Sequence, residues 1–444
     1  MQQQPDADLP SGSLDRRGFL RTAGAAAVAL GAPATLLTAC SPQRVTPRNG
    51  RTLKIGFVTP STGPLAPFAE ADTFILNGIR RAIGDGIDRA GTRHPVEILL
   101  RDAQSDTKKA AAAANSLIKD DRIDIMLTGE TPEMANPVSS ACEAAGVPCV
   151  SSLCPWQAWF FGRQGKPERG FEWTYHYFFG IDEFIAVFLD MWKRVDTNKV
   201  VGALWPGDID GGAFRDPVNG FPVHLTQAGY TLVDAQPYRD LTVKDWSKQI
   251  KLFKDNDVQI LTGIPLFPDF ASFWAQAHAQ GFRPKIASIG KALLFPTSVQ
   301  QLGPLANGLT AEVWWSPSHP FNSSLTGQSA KQLADAYTAS TRRQWTQPIG
   351  FVHSLFEVAI DVLRRAGDIS DPGTIRDAIA STNLDTMVGP ISWNGRPVRN
   401  VAKTNLVGGQ WLPGKNFQYD LTVVANKALP QIPLTGKLAP LSGA

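Results

Sequence analysis

The sequence predicts an α/β protein made of two doubly wound parallel-sheet units in series. Three observations predict it. Short β-branched runs alternate with longer stretches of helical period from residue 53 to residue 151, and such alternation makes a parallel sheet covered by helices on both faces. The alternation stops in an aromatic stretch over 152–169 and restarts near residue 199. About 400 residues remain once an amino-terminal signal is set aside, enough for two lobes of ordinary size.

In chain order, residues 53–58 (Leu-Lys-Ile-Gly-Phe-Val) read as the first strand and 68–89 as a helix with Phe74, Ile75, Gly78, Ile79 and Ile83 on one face. Strands over 96–100, 123–127 and 147–151 alternate with helices over 106–119, where Asp106 is a natural N-cap, and 133–145. The stretch 152–169 carries Trp156, Trp159, Phe160 and Phe161 and reads as a long functional loop. The second unit has strands over 199–204, 230–235, 258–262 and 286–288 and helices over 182–194, 243–255 and 269–280. Beyond Gly308 come a strand over 310–315, helices over 329–343, 349–366 and 374–380, and strands over 388–393, 401–408 and 417–424.

The amino terminus has a different logic. Arg16-Arg17-Gly18-Phe19-Leu20-Arg21 opens a charge-free stretch that closes on Leu37-Thr38-Ala39-Cys40. Paired arginines before about 17 small and apolar residues resemble a twin-arginine (Tat) export signal, with Asp15 where a Ser or Thr is more usual. Leu-Thr-Ala-Cys resembles a lipoprotein box, which makes Cys40 the expected lipidation site and 1–39 the cleaved signal. The run is at the low end of what a bilayer core requires and rich in Ala and Gly, which argues against a spanning anchor. Residues 40–51 read as a tether.

Hydrophobic content of 43% and charged content of 19% are those of a globular chain. Signal arginines and aspartates cancel, so the mature chain keeps the net charge of +3, and no Lys/Arg block stands out. Nucleic-acid binding is therefore not expected. Cys142, Cys149 and Cys154 leave at least one thiol unpaired, and a Cys142–Cys149 bridge stays open. The six histidines are scattered without ligand spacing, so neither a metal nor another cofactor is expected.

Four segments carry a resemblance. They are Thr59-Pro60-Ser61-Thr62-Gly63-Pro64-Leu65-Ala66 after the first strand, Ala144-Ala145-Gly146-Val147-Pro148 leading to Ser151-Ser152, Trp246-Ser247-Lys248-Gln249-Ile250, and Val388-Gly389-Pro390-Ile391-Ser392-Trp393. In their order and spacing the chain resembles the Leu/Ile/Val-binding protein family, the substrate-binding proteins of ABC transporters with a type I periplasmic-binding fold. The resemblance implies two doubly wound lobes joined by a three-segment hinge: residues 51–177 with 308–397, and 178–307 with 398–425, followed by a tail over 426–444. It implies a small-molecule ligand held between the carboxyl ends of the strands, ABC permease subunits as partners alongside the Tat machinery, a monomer, and a place in the periplasm or on the outer face of the cell membrane.

Family binding positions fall on Phe68, Thr131, Ser151, Ser152, Asp182, Trp205, Phe267 and Lys291, and Trp314 adds aromatic surface. Asp182 matches an acid that meets the ligand ammonium in amino-acid binders, and Lys291 lies near a position that is often acidic. The departures point away from a simple α-amino acid. At Gly129-Glu130-Thr131-Pro132-Glu133, Pro132 removes an N–H and two glutamates add charge where the family seats an α-carboxylate. An aromatic, amphipathic or cationic solute is the expectation. An exported enzyme is the rival class, but neither Gly-x-Gly-x-x-Gly after the first strand nor Gly-x-Ser-x-Gly is present. A ligand-sensing module of a receptor is the other.

Overall fold

The computed structural model describes residues 48–394, 397–404 and 406–441. The signal, Cys40 and most of the tether lie outside them. The strands are β1 (Arg48–Asn49), β2 (Leu53–Thr59), β3 (Ile87–Arg89), β4 (Thr92–His94), β5 (Val96–Asp102), β6 (Ile125–Thr128), β7 (Cys149–Ser151), β8 (Thr174–Phe178), β9 (Val200–Leu204), β10 (Thr231–Asp234), β11 (Ile260–Gly263), β12 (Ile286–Ile289), β13 (Thr310–Val313), β14 (Asn383–Thr386), β15 (Gly389–Ser392), β16 (Val401–Lys403), β17 (Val407–Pro413) and β18 (Tyr419–Ala425).

Two sheets dominate. The first runs β16-β8-β7-β6-β2-β5 and is parallel throughout. The second runs β10-β9-β11-β12-β13-β17-β18, parallel up to β13 and antiparallel from there. Every residue of β6, β8, β11, β12 and β13 is buried. This is why those strands read as continuous apolar runs rather than as alternation. The first two helices, α1 (Asp72–Ile83) and α2 (Thr107–Lys119), bury Ile75, Leu76, Ile79 and Ile83, and Ala110, Ala114 and Leu117. Asp106 caps α2 by accepting the Lys108 and Lys109 N–H groups, a contact that stabilises the helix by about 1 kcal/mol.

The expected single helix over 68–89 is three elements: a 3-10 turn (Ala66–Ala69), α1, and the β3–β4 hairpin. Gly84, at φ 57°, ends α1. The expected strand over 388–393 is β15, and it pairs antiparallel with an additional strand, β14, in a hairpin. Within 152–169, Trp156–Gly162 is a helix, α4. Its Trp159 and Phe160 are fully buried, so it lacks the amphipathic period that would have marked it.

The chain passes between the sheets three times: after β8, after β13 and after β16. Two crossings differ from the expected boundaries at 308 and 397. β13 lies in the second sheet, with Ser288 paired to Thr310, and β16 lies in the first, with Val401 paired to His176. Backbone pairing decides membership, and short apolar strands look alike in either sheet. Residues 426–441 lie against the second sheet, where Leu429 and Ile432 are buried in its core. Among the described residues no helix is long and apolar enough to cross a membrane.

Candidate functional site

Where the carboxyl ends of both sheets converge, a cavity of about 30 Å³ is lined by groups from both. The first sheet contributes Glu130 and Thr131 beyond β6, Leu153 and Pro155 beyond β7, and Phe178 and Phe179 at the end of β8. The second contributes Ile264 beyond β11, Lys291 beyond β12, and Glu312 and Trp314 at the end of β13. Open α/β sheets bind ligands at this end of their strands.

Aromatic rings form the walls. Phe68, in the 3-10 turn, lies 4.8 Å edge-on from Phe295 and is stacked on Trp314 at 6.4 Å. Phe178 meets Trp314 edge-on at 5.0 Å, and Phe184 meets Phe214 at 4.8 Å.

Acids sit behind and between the rings. Gly129 permits the chain to turn into Glu130, since a Cβ there would lie 2.6 Å from Leu153 Cδ1. Glu130 itself has φ 86°, a conformation that costs a non-glycine residue about 1–3 kcal/mol. Neither of its carboxyl oxygens has a hydrogen-bond partner in the described structure. Asp72, the first residue of α1, accepts from Thr59 Oγ1 at 2.7 Å through Oδ2 and leaves Oδ1 free. Burial raises the Asp72 carboxyl to about 7 against the pull of Thr59, and burial together with the nearby Asp72 raises Glu130 well above the usual carboxylate range. On the second lobe, burial raises Asp210 to about 7 and Glu312 to about 8.

Lys291, at φ 53°, is the cation of the site. Its Nζ is 2.9 Å from Asp208 Oδ2 and 2.7 Å from Asp210 Oδ2. Burial works against its charge, but Asp208 and Asp210 outweigh that and raise its pKa. Glu133, Asp208 and Asp210 bring carboxylate oxygens within 4.8 Å of one another, a donor set of the kind hard cations use. The Lys291 ammonium supplies the countercharge there.

The structure brings together Phe68, Thr131, Lys291 and Trp314 around this cavity and leaves the other expected residues away from it. Ser151 bonds to the His176 ring at 2.9 Å and Ser152 donates to the Tyr177 carbonyl at 2.6 Å, so both hydroxyls are spent inside the sheet. Asp182, on α5 (Ile181–Trp192), accepts from Lys403 at 2.8 Å and Gln157 at 2.9 Å beside a surface groove, so it is not the acid facing the cavity. Trp205 is fully buried against Phe214 and Phe221. Phe267 begins the helix Phe267–Ala279 and packs on the second-lobe core. Of the Trp314–Trp315 pair, Trp314 faces the cavity and Trp315 is packed against Gly350. Trp156 and Trp159 do not line it. Lys291 lies near a position that is often acidic, and acids do surround it: Asp208 and Asp210 pair with its ammonium and Glu312 lines the same cavity. Asp208 and Asp210 flank the start of a short helix, α6 (Ile209–Phe214), which the sequence pattern does not announce. Cys142, Cys149 and Cys154 are free and buried.

A sequence profile described as "Periplasmic binding protein" matches residues 52–411. Solved structures share the fold at low identity. A leucine binding protein from Thermotoga maritima is 20% identical with a TM-score of 0.68, covering 85% of this chain and 99% of its own. An ABC transporter solute binding protein from Rhodopseudomonas palustris, in complex with 3,4-dihydroxybenzoic acid, is 17% identical with a TM-score of 0.67, covering 84% and 96%. A leucine-, isoleucine-, valine-, threonine- and alanine-binding protein from Brucella ovis, in a closed conformation, is 16% identical with a TM-score of 0.66, covering 83% and 93%.

Proposed function

This chain belongs to the periplasmic binding protein family, and on that premise we propose that it captures a small organic solute between two lobes outside the cytoplasm and hands it, unchanged, to the permease of an ABC importer. The observation that carries the reading is the cavity assembled from the strand ends of both sheets. A cavity of about 30 Å³ holds a water or two, so any larger solute enters only if the lobes part. Three chain crossings are the natural place for that bending. Parted and closed forms differ in shape, and a permease can discriminate between them. On this reading one lobe comprises the chain up to β8 and from Trp314 to β16, and the other the remainder.

Branched-chain amino acids are poor candidates. Pro132 withholds an N–H at the start of α3 (Pro132–Ala145), and Glu130 stands beside it. The leucine-binding relative and the relative holding an aromatic acid indicate that this fold accommodates varied small solutes. Arg16-Arg17 and Cys40 support Tat export and lipid anchoring at the outer face of the membrane.

Native mass spectrometry of the mature protein purified from its producer tests the reading. The expected result is one captured small molecule, released on denaturation and rebound without chemical change, with a smaller radius of gyration in the loaded form. An altered product, or a radius that is the same loaded and empty, overturns it.

A further inference from the structure

The cavity holds more buried acid than its own cation balances. Glu130 is 1% exposed, lines the cavity and has neither carboxyl oxygen partnered. Asp72 Oδ1, Asp210 Oδ1 and Glu312 Oε2 are also buried without partners. An ionised carboxylate only accepts hydrogen bonds, so the oxygens of Glu130, Asp210 and Glu312, which line the cavity, call for an N–H or O–H from whatever fills the space. Thr59 Oγ1 is committed to Asp72 and the Lys291 ammonium to Asp208 and Asp210, which leaves the neutral Thr131 hydroxyl and Trp314 indole N–H as the unpartnered donors of the lining. The start of α3, a natural seat for an anion, has lost an N–H to Pro132 and is flanked by Glu130 and Glu133. Phe68, Phe178 and Trp314 turn the walls aromatic, and such walls attract cations and apolar groups alike.

From this juxtaposition of unpartnered buried carboxyls with an aromatic cage we infer that the solute is a protonated primary or secondary amine on an apolar body, bearing no carboxylate. The inference rests on the solute-capture reading above and narrows it. Glu130 on the first lobe and Glu312 and Asp210 on the second grip the ammonium group from opposite sides, with Asp72 beside Glu130 and outside the lining. A carboxylate brought into the same space adds a further negative charge beside those acids, with no uncommitted cation and only the neutral Thr131 and Trp314 donors to offset it, and a poorly paired buried charge is costly.

The experiment is calorimetric titration of the mature protein, stripped of solute, with phenethylamine, hexylamine, phenylalanine and 3-phenylpropanoate. The expected result is that an amine binds at least about tenfold more tightly than the zwitterion and the acid. Glu130→Gln should weaken amine binding at least about tenfold while the circular dichroism stays native, and Glu312→Gln provides the same test from the other lobe. Equal or tighter binding of phenylalanine or 3-phenylpropanoate overturns the inference. So does amine affinity unchanged in both variants, or no binding by either amine. In each such case mass spectrometry of the naturally captured solute separates the two readings. A carboxylate-bearing solute leaves the carrier function standing, and no solute at all removes that function too.

Discussion

Asp72 and Glu130 are buried with neighbouring carboxyl groups, and the Thr59 hydroxyl is bonded to Asp72. Burial, and for Glu130 the neighbouring Asp72 as well, raises both above the ordinary carboxylate range, Asp72 to about 7. In the unfolded chain both ionise near pH 4. Between these limits the folded state binds more protons than the unfolded one, so stability is fullest below about pH 4 for this pair and falls as pH rises through about 7. Across the rest of the site, Glu133, Asp208 and Lys291 face Asp210, which is raised to about 7 in the same sense, as Glu312 is to about 8. The solute-free protein should therefore unfold at a lower urea concentration at pH 8.5 than at pH 6. Glu130→Gln should raise the urea midpoint at pH 8.5 and flatten the profile. A midpoint that rises from pH 6 to pH 8.5 would contradict this.

Lys291 is held by two acids in a buried setting. Lys291→Met strands Asp208 and Asp210, and breaking a buried pair in this way costs about 3–5 kcal/mol. Adding Asp210→Asn to Lys291→Met should recover part of that loss. Urea denaturation of the two single variants and the double variant measures the coupling, and strictly additive effects would show that the ion pair is energetically idle.

Glu133 on α3 accepts the Ile209 N–H of α6 at 3.1 Å, so one carboxylate links a helix of the first lobe to a helix of the second at the cavity rim. Glu133→Ala should shift the population toward the parted form. Small-angle scattering should then give a larger radius of gyration for the variant, with weaker solute binding.

The three described cysteines are buried, and burial raises the Cys142 and Cys154 thiols well above their ordinary value. Thiolate is the reactive form. A thiol reagent should leave all three untouched in the native mature protein and titrate them after denaturation. Rapid native labelling at Cys142 or Cys149 would contradict their placement.

Much of the fold is legible because parallel strands buried on both faces are written as uninterrupted apolar runs, such as Ile125-Met126-Leu127. The same property hides which sheet a strand joins: nothing local to Thr310–Val313 or Val401–Lys403 distinguishes one neighbour from another. Helix α4 escapes notice because Trp159 and Phe160 are buried along with their neighbours, so no polar face marks its period. At the site, Phe68, Lys291 and Trp314 are readable from their place at element ends. Ser151 and Ser152 are not excludable by sequence, because the carbonyl and imidazole that engage them come from β8, across the sheet. Glu312 is missed because an acid within a buried strand looks out of place until the cavity beside it is seen.

The edge strand Val401–Lys403 completes the first sheet more than two hundred residues after its neighbour Thr174–Phe178. The ribosome therefore releases that strand only when the rest of the first sheet has long been made and the second is nearly finished. Amino-terminal fragments must wait with an open edge, exposed to mispairing with other chains. Contacts so distant along the polypeptide slow folding, so this protein should leave the ribosome as a late folder in need of chaperone cover.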